Sequence, residues 1–316
     1  MRDVFLLYLH YSIFIKPLFT DRLTDVNSNM KKLLFFLILA LSISLSAQDT
    51  NDAFDKYAPP GLVYNSLNDA LESADIAYKV KIENQLFEPK MLPKLGKLTK
   101  TMALQLTSNG ITQLPVEFTN LTNLTYFSSR DNELTSLPKG FGNLSLLTEI
   151  HLNNTRLDSL PFEIAYLDRL KDLEIQNNNV TAFYFPNSIG YLPGLNTLLL
   201  FNTQLDTLPA SFAEFKKLKS LTLVMCGLKK VPKTIVKITS LEELILDNNQ
   251  ISELPKSFYK LKNLKQLSLK SNKLSHIDDT ICMFKNLEVL DLRGNNFNKN
   301  DVAILQALLP KCRILN

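Results

Sequence analysis

Cysteine is scarce in this chain of 316 residues, which contains only Cys226, Cys282 and Cys312. An odd number of cysteines cannot pair completely, which argues against a disulfide framework. We expect three buried thiols that pack as small apolar side chains. A bond between Cys282 and Cys312 is the one pairing that the sequence leaves open.

Histidine is equally scarce, and His10, His151 and His276 lie far apart in the sequence. The chain also lacks a glycine-rich phosphate loop, a nucleophile-elbow motif, the paired-histidine zinc motif and paired Cys-x-x-Cys motifs. These absences weigh against nucleotide-dependent, hydrolytic and zinc enzymes. No cofactor and no metal ion are expected.

A strong charge of one sign is missing as well. The 35 Lys and Arg residues against 31 Asp and Glu residues give a formal net charge of +4, and the cations are dispersed among the acids. A nucleic-acid-binding protein gathers its cations into a patch or stripe. We therefore expect no nucleic-acid partner.

Long apolar runs are confined to the amino-terminal region. Lys31 and Lys32 precede an apolar run over residues 33–45, which small residues follow, and this is the layout of a secretory signal peptide. We predict a signal peptide over residues 30–47, with the mature chain beginning near Gln48. No stable membrane span is expected after its removal.

The start of the chain is open to two interpretations. We favour Met30 as the true start, with residues 1–29 as an upstream extension or misassigned start. The alternative is a genuine extension with an uncleaved membrane anchor. The apolar run is shorter than the ~20 residues that a spanning helix needs, which favours cleavage.

The dominant feature of the sequence is a repeat of 23 residues. Its clearest copy begins at Leu241 and reads LEELILDNNQISELPKSFYKLKNL. The opening leucine recurs at Leu218, Leu264 and Leu287. A Leu-Pro pair also recurs in most units. A fixed period of this length indicates stacked structural units.

Each fixed position of the frame LxxLxLxxNxLxxLPxxFxxLxxL has a physical reason. The alternating LxL segment predicts a short strand with inward leucines. The Asn that follows should be buried and bonded to backbone groups, so Asn249 should be buried and Asn248 exposed. The proline begins the return leg because it cannot continue a strand ladder. Phe258 should fold that leg onto the strand leucines.

This frame, with its LPxxF segment, resembles the leucine-rich-repeat family, specifically the 23-residue class of bacterial and Ras-suppressor-like proteins. The resemblance covers roughly residues 77–298. It implies an α/β repeat fold, a curved solenoid with a parallel sheet on the concave face and irregular or 3₁₀ segments on the convex face. It also implies binding of other macromolecules, and we expect a monomer.

Short helical caps should close both ends of the solenoid. Residues 48–76 form a polar stretch that ends in an amino-terminal cap, where Ser66 should cap a short helix. About ten repeat units occupy residues 77–298. Residues 299–316 form the carboxy-terminal cap, with a helix from about Asp301 to Leu309 and a closing strand. Its apolar face should consist of Ile304, Leu305 and Leu308.

Some units depart from the frame. Ser129 replaces a strand leucine and is predicted to be a weak point. The unit that opens at Leu170 is two residues longer than the others and carries Asn178 at its turn. Its insertion should place the aromatic residues 183–185 in a bulge on the return edge.

Strand residues between the inward leucines should point to the concave face. Over three adjacent units this face is predicted to become apolar, through Leu199, Phe201, Val224, Met225 and Ile245. The core does not require these residues to be apolar, so the cluster suggests a protein interface. The alternative is strand propensity, which favours such side chains whatever they touch.

Polar and charged residues flank this cluster on both sides and complete the predicted partner-binding surface. They are Tyr126, Arg130, His151 and Glu174 on one side and Asp247, Lys270 and Arg293 on the other. A charged group around one histidine is also a candidate catalytic or metal site. A solvated polar face is the simpler interpretation.

Together these features predict a non-enzymatic module that binds a protein or peptide through its concave face. The signal peptide predicts that it is secreted or exposed in the cell envelope. If the signal is not used, the same fold would serve as an intracellular signalling scaffold. The third hypothesis is a catalytic or metal site around His151.

Overall fold

The computed structural model describes Phe54, Lys56 and residues 58–177 and 182–316. The predicted extension, the predicted signal peptide and Asn178 lie outside the described residues. Every element discussed below belongs to the unit Tyr57–Asn316. In the described part of the chain, no helix is long and apolar enough to cross a membrane.

Twelve strands of the described residues form one parallel sheet, in which each strand pairs with the next in chain order. The strands are β1 Val63–Tyr64, β2 Lys79–Glu83, β3 Ala103–Thr107, β4 Tyr126–Arg130, β5 Glu149–Thr155, β6 Asp172–Asn177, β7 Thr197–Phe201, β8 Ser220–Val224, β9 Glu243–Ile245, β10 Gln266–Ser268, β11 Val289–Asp291 and β12 Arg313–Leu315. This order confirms the predicted solenoid, because each repeat contributes one strand beside its predecessor.

Equivalent positions of successive repeats lie side by side in this sheet. Leu221 pairs with Leu244, and Leu244 pairs with Leu267. Along β7, Leu198 and Leu200 are buried while the residues between and beside them are partly exposed. The alternation confirms that the strand leucines point inward and that the intervening residues lie on the other face.

The return legs contain short 3₁₀ helices. These are Leu92–Lys97, Val116–Asn120, Phe141–Asn143, Phe162–Tyr166, Ile189–Tyr191, Ala210–Glu214, Ile235–Lys237, Lys256–Lys260 and Asp279–Met283. Phe258 is 3% exposed and packs edge to face on Phe284 at 5.7 Å between ring centroids, as the frame predicts. A Cβ atom on Gly190 would lie 1.7 Å from the Ser211 carbonyl oxygen, so only glycine permits this approach.

The turn position binds the units together through side-chain amides. Asn132 Oδ1 accepts the backbone N–H groups of Asn109 at 3.0 Å and Ile111 at 3.2 Å, while its Nδ2 donates to the Leu106 carbonyl at 3.1 Å. Asn132 Nδ2 also lies 3.1 Å from Ser129 Oγ. The hydroxyl at the predicted weak point is therefore buried with a hydrogen-bond partner.

Both predicted caps are present. Helix α1 spans Leu67–Glu72, and Ser66 Oγ accepts the backbone N–H of Asp69 at 3.1 Å. Strand β1 precedes α1 and pairs with β2, which the sequence pattern did not predict. The unpredicted strand extends the sheet by one strand, beside β2.

Helix α2 spans Lys299–Leu308 and begins two residues before its predicted start. Asn298 and Asp301 form a capping box, in which each side chain accepts the other residue's backbone N–H. Ile304 is 56% exposed, so its predicted place against the last unit is wrong. Leu305 is buried as predicted, Leu308 is partly buried against the core, and Leu309 is buried as well.

The cysteines and the insertion are partly as predicted. All three cysteines are free, so Cys282 and Cys312 form no bond, and Cys282 is partly exposed where we expected burial.

Phe183 and Phe185 are buried, and Phe185 packs on Phe212 with ring centroids 5.1 Å apart. Only Tyr184, which is 58% exposed, is available on the predicted aromatic bulge.

Candidate functional site

The predicted apolar residues meet on the exposed face of the sheet. Phe201 ends β7 and pairs with Val224 at the end of β8, while Leu199 pairs with Thr222, which in turn pairs with Ile245. The four apolar residues of this group are partly exposed. With Met225 they form what we call the concave apolar cluster.

Met225 has an unusual backbone conformation within this cluster. It follows β8 instead of lying on it, and its φ is 56°. The same position has positive φ in eight other units, where it is occupied by Asn84, Ser108, Asp131, Asn154, Asn202, Asn248, Ser271 and Gly294. Short polar residues and glycine tolerate the left-handed region, whereas a long apolar side chain there is strained. Met225 therefore lies in the turn after β8 and not on the strand.

A second group on the same face surrounds His151. His151 Nδ1 lies 2.9 Å from Glu174 Oε2, and its Nε2 lies 3.6 Å from Glu149 Oε2. The first contact is a hydrogen bond and the second is an ionic contact beyond hydrogen-bond distance. The Tyr126 ring lies 5.5 Å from the imidazole, centroid to centroid. With Arg130 these residues form what we call the charged cluster.

The carboxylates control the ionisation of the imidazole. Burial is the largest single influence on His151 and would lower its pKa, but the contacts with Glu149 and Glu174 outweigh it and raise the pKa to about 9. Burial would likewise raise the pKa of Glu174, yet His151 and Arg130 together lower it. Burial raises the pKa of Tyr126. His151 is therefore an imidazolium near neutral pH.

This protonation state disfavours catalysis and metal binding at His151. An imidazolium has no nitrogen lone pair for a metal ion or for proton abstraction. Among the residues that the structure describes, no group of three or more His, Cys, Asp or Glu side chains is placed to hold a metal ion. The charged cluster has the character of an ion-pair network.

Two residues of the predicted surface have no exposed side chain. Tyr126 is fully buried within the charged cluster. Asp247 is also fully buried, although Lys270 and Arg293 at the equivalent position of the next two units stay partly exposed. Its carboxylate accepts from Ser268 Oγ and from the Lys270 N–H, and burial raises its pKa to about 6.

The remaining charged residues at the carboxy-terminal side stay partly exposed. Lys270 and Arg293 follow β10 and β11, and Arg293 Nε donates to both carboxylate oxygens of Asp291, at 2.9 and 3.1 Å. The pairing with Asp291 fixes the guanidinium of Arg293 along the strand. In the strand order these cations lie beyond Ile245, on the β10 and β11 side of the concave apolar cluster.

Comparisons with known proteins agree with this architecture. The family described as leucine rich repeat matches residues 239–297. No curated protein matches the chain significantly. The chain thus has a leucine-rich-repeat solenoid fold, and the match to that family covers its last repeats.

Several solved structures share the fold. The TLR13–ssRNA13 complex has a TM-score of 0.65 at 23% identity, over 74% of this chain and 35% of that one. The leucine-rich-repeat domain of the type III effector XopL has a TM-score of 0.57 at 24% identity, over 79% of this chain and 89% of that chain. The plant peptide hormone receptor RGFR1 in complex with RGF2 has a TM-score of 0.54 at 21% identity, over 75% of this chain and 43% of that chain. The chain spans less than half of the two receptor chains, and at these identities the likeness concerns the fold.

Proposed function

We propose that this protein is a non-enzymatic binding module whose concave face takes an extended segment of a partner protein or peptide. The observation that carries the proposal is the concave apolar cluster. Its side chains lie on the face of the sheet opposite the core, so the solenoid does not need them to be apolar. An apolar cluster with a charged rim is the arrangement expected of a protein interface.

Met225 supports the same proposal. Eight other units place glycine or a short polar residue at this left-handed position. A methionine there is held against its backbone preference, at about 1–2 kcal/mol for a left-handed residue. Such strain is typical of functional positions, and methionine suits an adaptable binding surface.

The comparisons leave more than one class of partner to consider. One structural neighbour is a plant peptide hormone receptor in complex with RGF2, and another forms a complex with ssRNA13. In this chain the concave apolar cluster contains no cationic side chain. His151 and Arg293 on its two sides are held in ion pairs, and Arg130 and Lys270 lie outside the cluster. We therefore favour a protein or peptide over RNA. We also propose that the repeats belong to the 23-residue LPxxF class.

We propose further that the protein is exported, on the strength of Lys31, Lys32 and the apolar run that follows them. Amino-terminal sequencing of natively expressed protein tests this, and a mature start near Gln48 is expected. Recovery of protein that still carries Met30 would overturn export and favour the intracellular scaffold.

Selection from a displayed library of peptides of about 12 residues, a length that in extended form crosses several strands of the sheet, tests the binding function directly. Selected peptides should bind the native chain and lose binding to Leu199→Asp, which places a charge at the centre of the concave apolar cluster. Tyr191→Asp is the matched control, because Tyr191 is exposed on a return leg. Peptides that bind Leu199→Asp as well as the native chain would contradict a concave site.

A further inference from the structure

Arg130 has a buried side chain that contacts no counter-ion within the described part of the chain. The residue is 8% exposed, at the end of β4 on the concave face. Among the residues that the structure describes, Arg130 forms no ion pair, and its Nη2 atom is buried with no hydrogen-bond partner. A buried cation is ordinarily paired or hydrogen-bonded, because desolvation of the charge is costly.

The carboxylates of the charged cluster are in contact with another cation. Glu174 bonds to His151 Nδ1, and Glu149 makes its ionic contact with His151 Nε2. The charge of Arg130 contributes to the lowered pKa of Glu174, which places the two groups in the same electrostatic environment. Arg130 therefore keeps an unused N–H donor beside carboxylates that are already paired.

Arg130 and Phe201, the aromatic residue of the concave apolar cluster, lie in one row of paired residues across the sheet. The sheet register pairs Arg130 with Asn153, Asn153 with Gln176, and Gln176 with Phe201. Asn153 Oδ1 is buried and has no hydrogen-bond partner within the described part of the chain. The row thus offers a cation, a free amide acceptor and an apolar anchor in order.

The row has the dimensions of a short extended peptide. Three strand spacings of about 4.8 Å separate Arg130 from Phe201, or roughly 14 Å. An extended peptide advances about 3.4 Å per residue, so roughly four residues cover this distance.

We propose that Arg130 binds a carboxylate of the partner segment, about four residues from the apolar side chain that packs on Phe201. This inference rests on the proposed function and names the chemistry of its partner. A planar guanidinium suits a carboxylate because it can donate two parallel hydrogen bonds. The carboxylate can come from an Asp or Glu side chain or from a chain terminus, and the concave apolar cluster supplies the second contact.

The experiment uses peptides selected on the native chain, remade synthetically with a fluorescent label. For each binder, Asp or Glu is changed to Asn or Gln, and the carboxy terminus is made free or amidated. Fluorescence polarisation then gives Kd for the native chain, for Arg130→Gln and for Arg156→Gln. Arg156 is the control, because it is exposed and paired with Glu133.

The expected result is a carboxylate whose neutralisation weakens binding to the native chain about thirtyfold and to Arg130→Gln hardly at all. If the change of an Asp or Glu has this effect, the carboxylate belongs to a side chain. If amidation has it, the carboxylate is the peptide's carboxy terminus. Arg156→Gln should bind as the native chain does. Arg130→Gln should melt at the native temperature or higher, because it removes an unpaired buried charge.

Two outcomes overturn the inference, and they differ in what they leave standing. If binders lose affinity with Leu199→Asp but no neutralised peptide is affected, Arg130 has no role and the proposed function remains. If no binder depends on Leu199, the proposed function falls as well. The peptide changes are tested on the native chain, so this decision does not require Arg130→Gln to fold.

Discussion

The side-chain oxygen of Asn249 accepts the backbone N–H of Cys226 at 3.0 Å and that of Leu228 at 3.1 Å, both in the preceding unit. Its Nδ2 donates to the carbonyl of Leu223 at 2.7 Å and to that of Leu246 at 2.9 Å. A single buried amide thus joins backbone groups of two neighbouring units. As the sequence predicts, Asn249 is buried and Asn248 is exposed.

Replacement of Asn249 by Ala should destabilise the solenoid strongly. An unsatisfied buried donor or acceptor costs about 1–3 kcal/mol, and this change leaves several backbone groups without their partner. Thermal unfolding should show a clear drop in melting temperature. Asn248→Gly is the matched control, because glycine tolerates the positive φ of 54° at that position. Equal losses for the two variants would contradict the assigned turn.

Replacement of Met225 by Asn should stabilise the chain and weaken binding. Asn occupies the equivalent position in several units, and relief of the left-handed strain should add about 1 kcal/mol to the free energy of unfolding. Chemical denaturation measures the gain, and titration of a selected peptide measures the loss of affinity. The reverse change in the neighbouring unit, Asn202→Met, should destabilise by a similar amount. A stability loss for Met225→Asn would show that its side chain belongs to the core.

The charged cluster should give the protein a pH-dependent stability in the alkaline range. The folded pKa of His151, about 9, lies above its ordinary value of 6.5. Its contribution to stability is therefore complete below about pH 6.5 and is lost as the pH rises through about 9. Glu174, whose pKa is lowered, loses its contribution only as the pH falls through that lowered value.

Denaturation curves between pH 6 and pH 10 test this, and the native chain should lose on the order of a few kcal/mol. His151→Gln should show a much flatter profile over the same range. His276→Gln is the control and should keep the native profile, since that residue lies outside the charged cluster. A native profile that is already flat would contradict the imidazolium assignment.

The repeat frame predicted the parts of the structure that recur. The inward leucines, the buried Asn249 and the core position of Phe258 all follow from spacing, because each unit must pack against an equivalent neighbour. The frame did not predict the burial of individual polar side chains. Asp247 was placed on the exposed face by spacing, but its side chain is buried and accepts hydrogen bonds from Ser268 Oγ and from the Lys270 N–H.

The charged cluster shows a second limit of sequence patterns. Spacing places Arg130, His151 and Glu174 on one face, yet it does not decide which cation takes which carboxylate. In the structure His151 contacts both Glu149 and Glu174, and Arg130 is left without an ion pair in the described part of the chain. That distribution depends on side-chain conformations and burial, which a repeat pattern does not carry.

The binding proposal makes its sharpest prediction at Phe201. This residue is partly exposed at the end of β7, in the concave apolar cluster, beside Val224. An aromatic anchor at the centre of an interface contributes about 2 kcal/mol or more, which corresponds to roughly a thirtyfold change in affinity. Phe201→Ala should therefore weaken binding of a selected peptide by about that factor. The melting temperature should change little, because the side chain lies on the face opposite the core.

Phe258→Ala is the matched control, because the same change at a buried position should have the opposite effect. Truncation of a core phenylalanine costs about 3–5 kcal/mol of stability, and Phe258 lies on the return leg, away from the concave face. Peptide affinity, measured at a temperature where this variant is folded, should stay near the native value. If Phe201→Ala instead destabilises as much as Phe258→Ala, Phe201 is a core residue and the concave face is wrongly assigned. If Phe201→Ala changes neither quantity, the apolar side chains reflect strand propensity and the partner binds elsewhere on the solenoid.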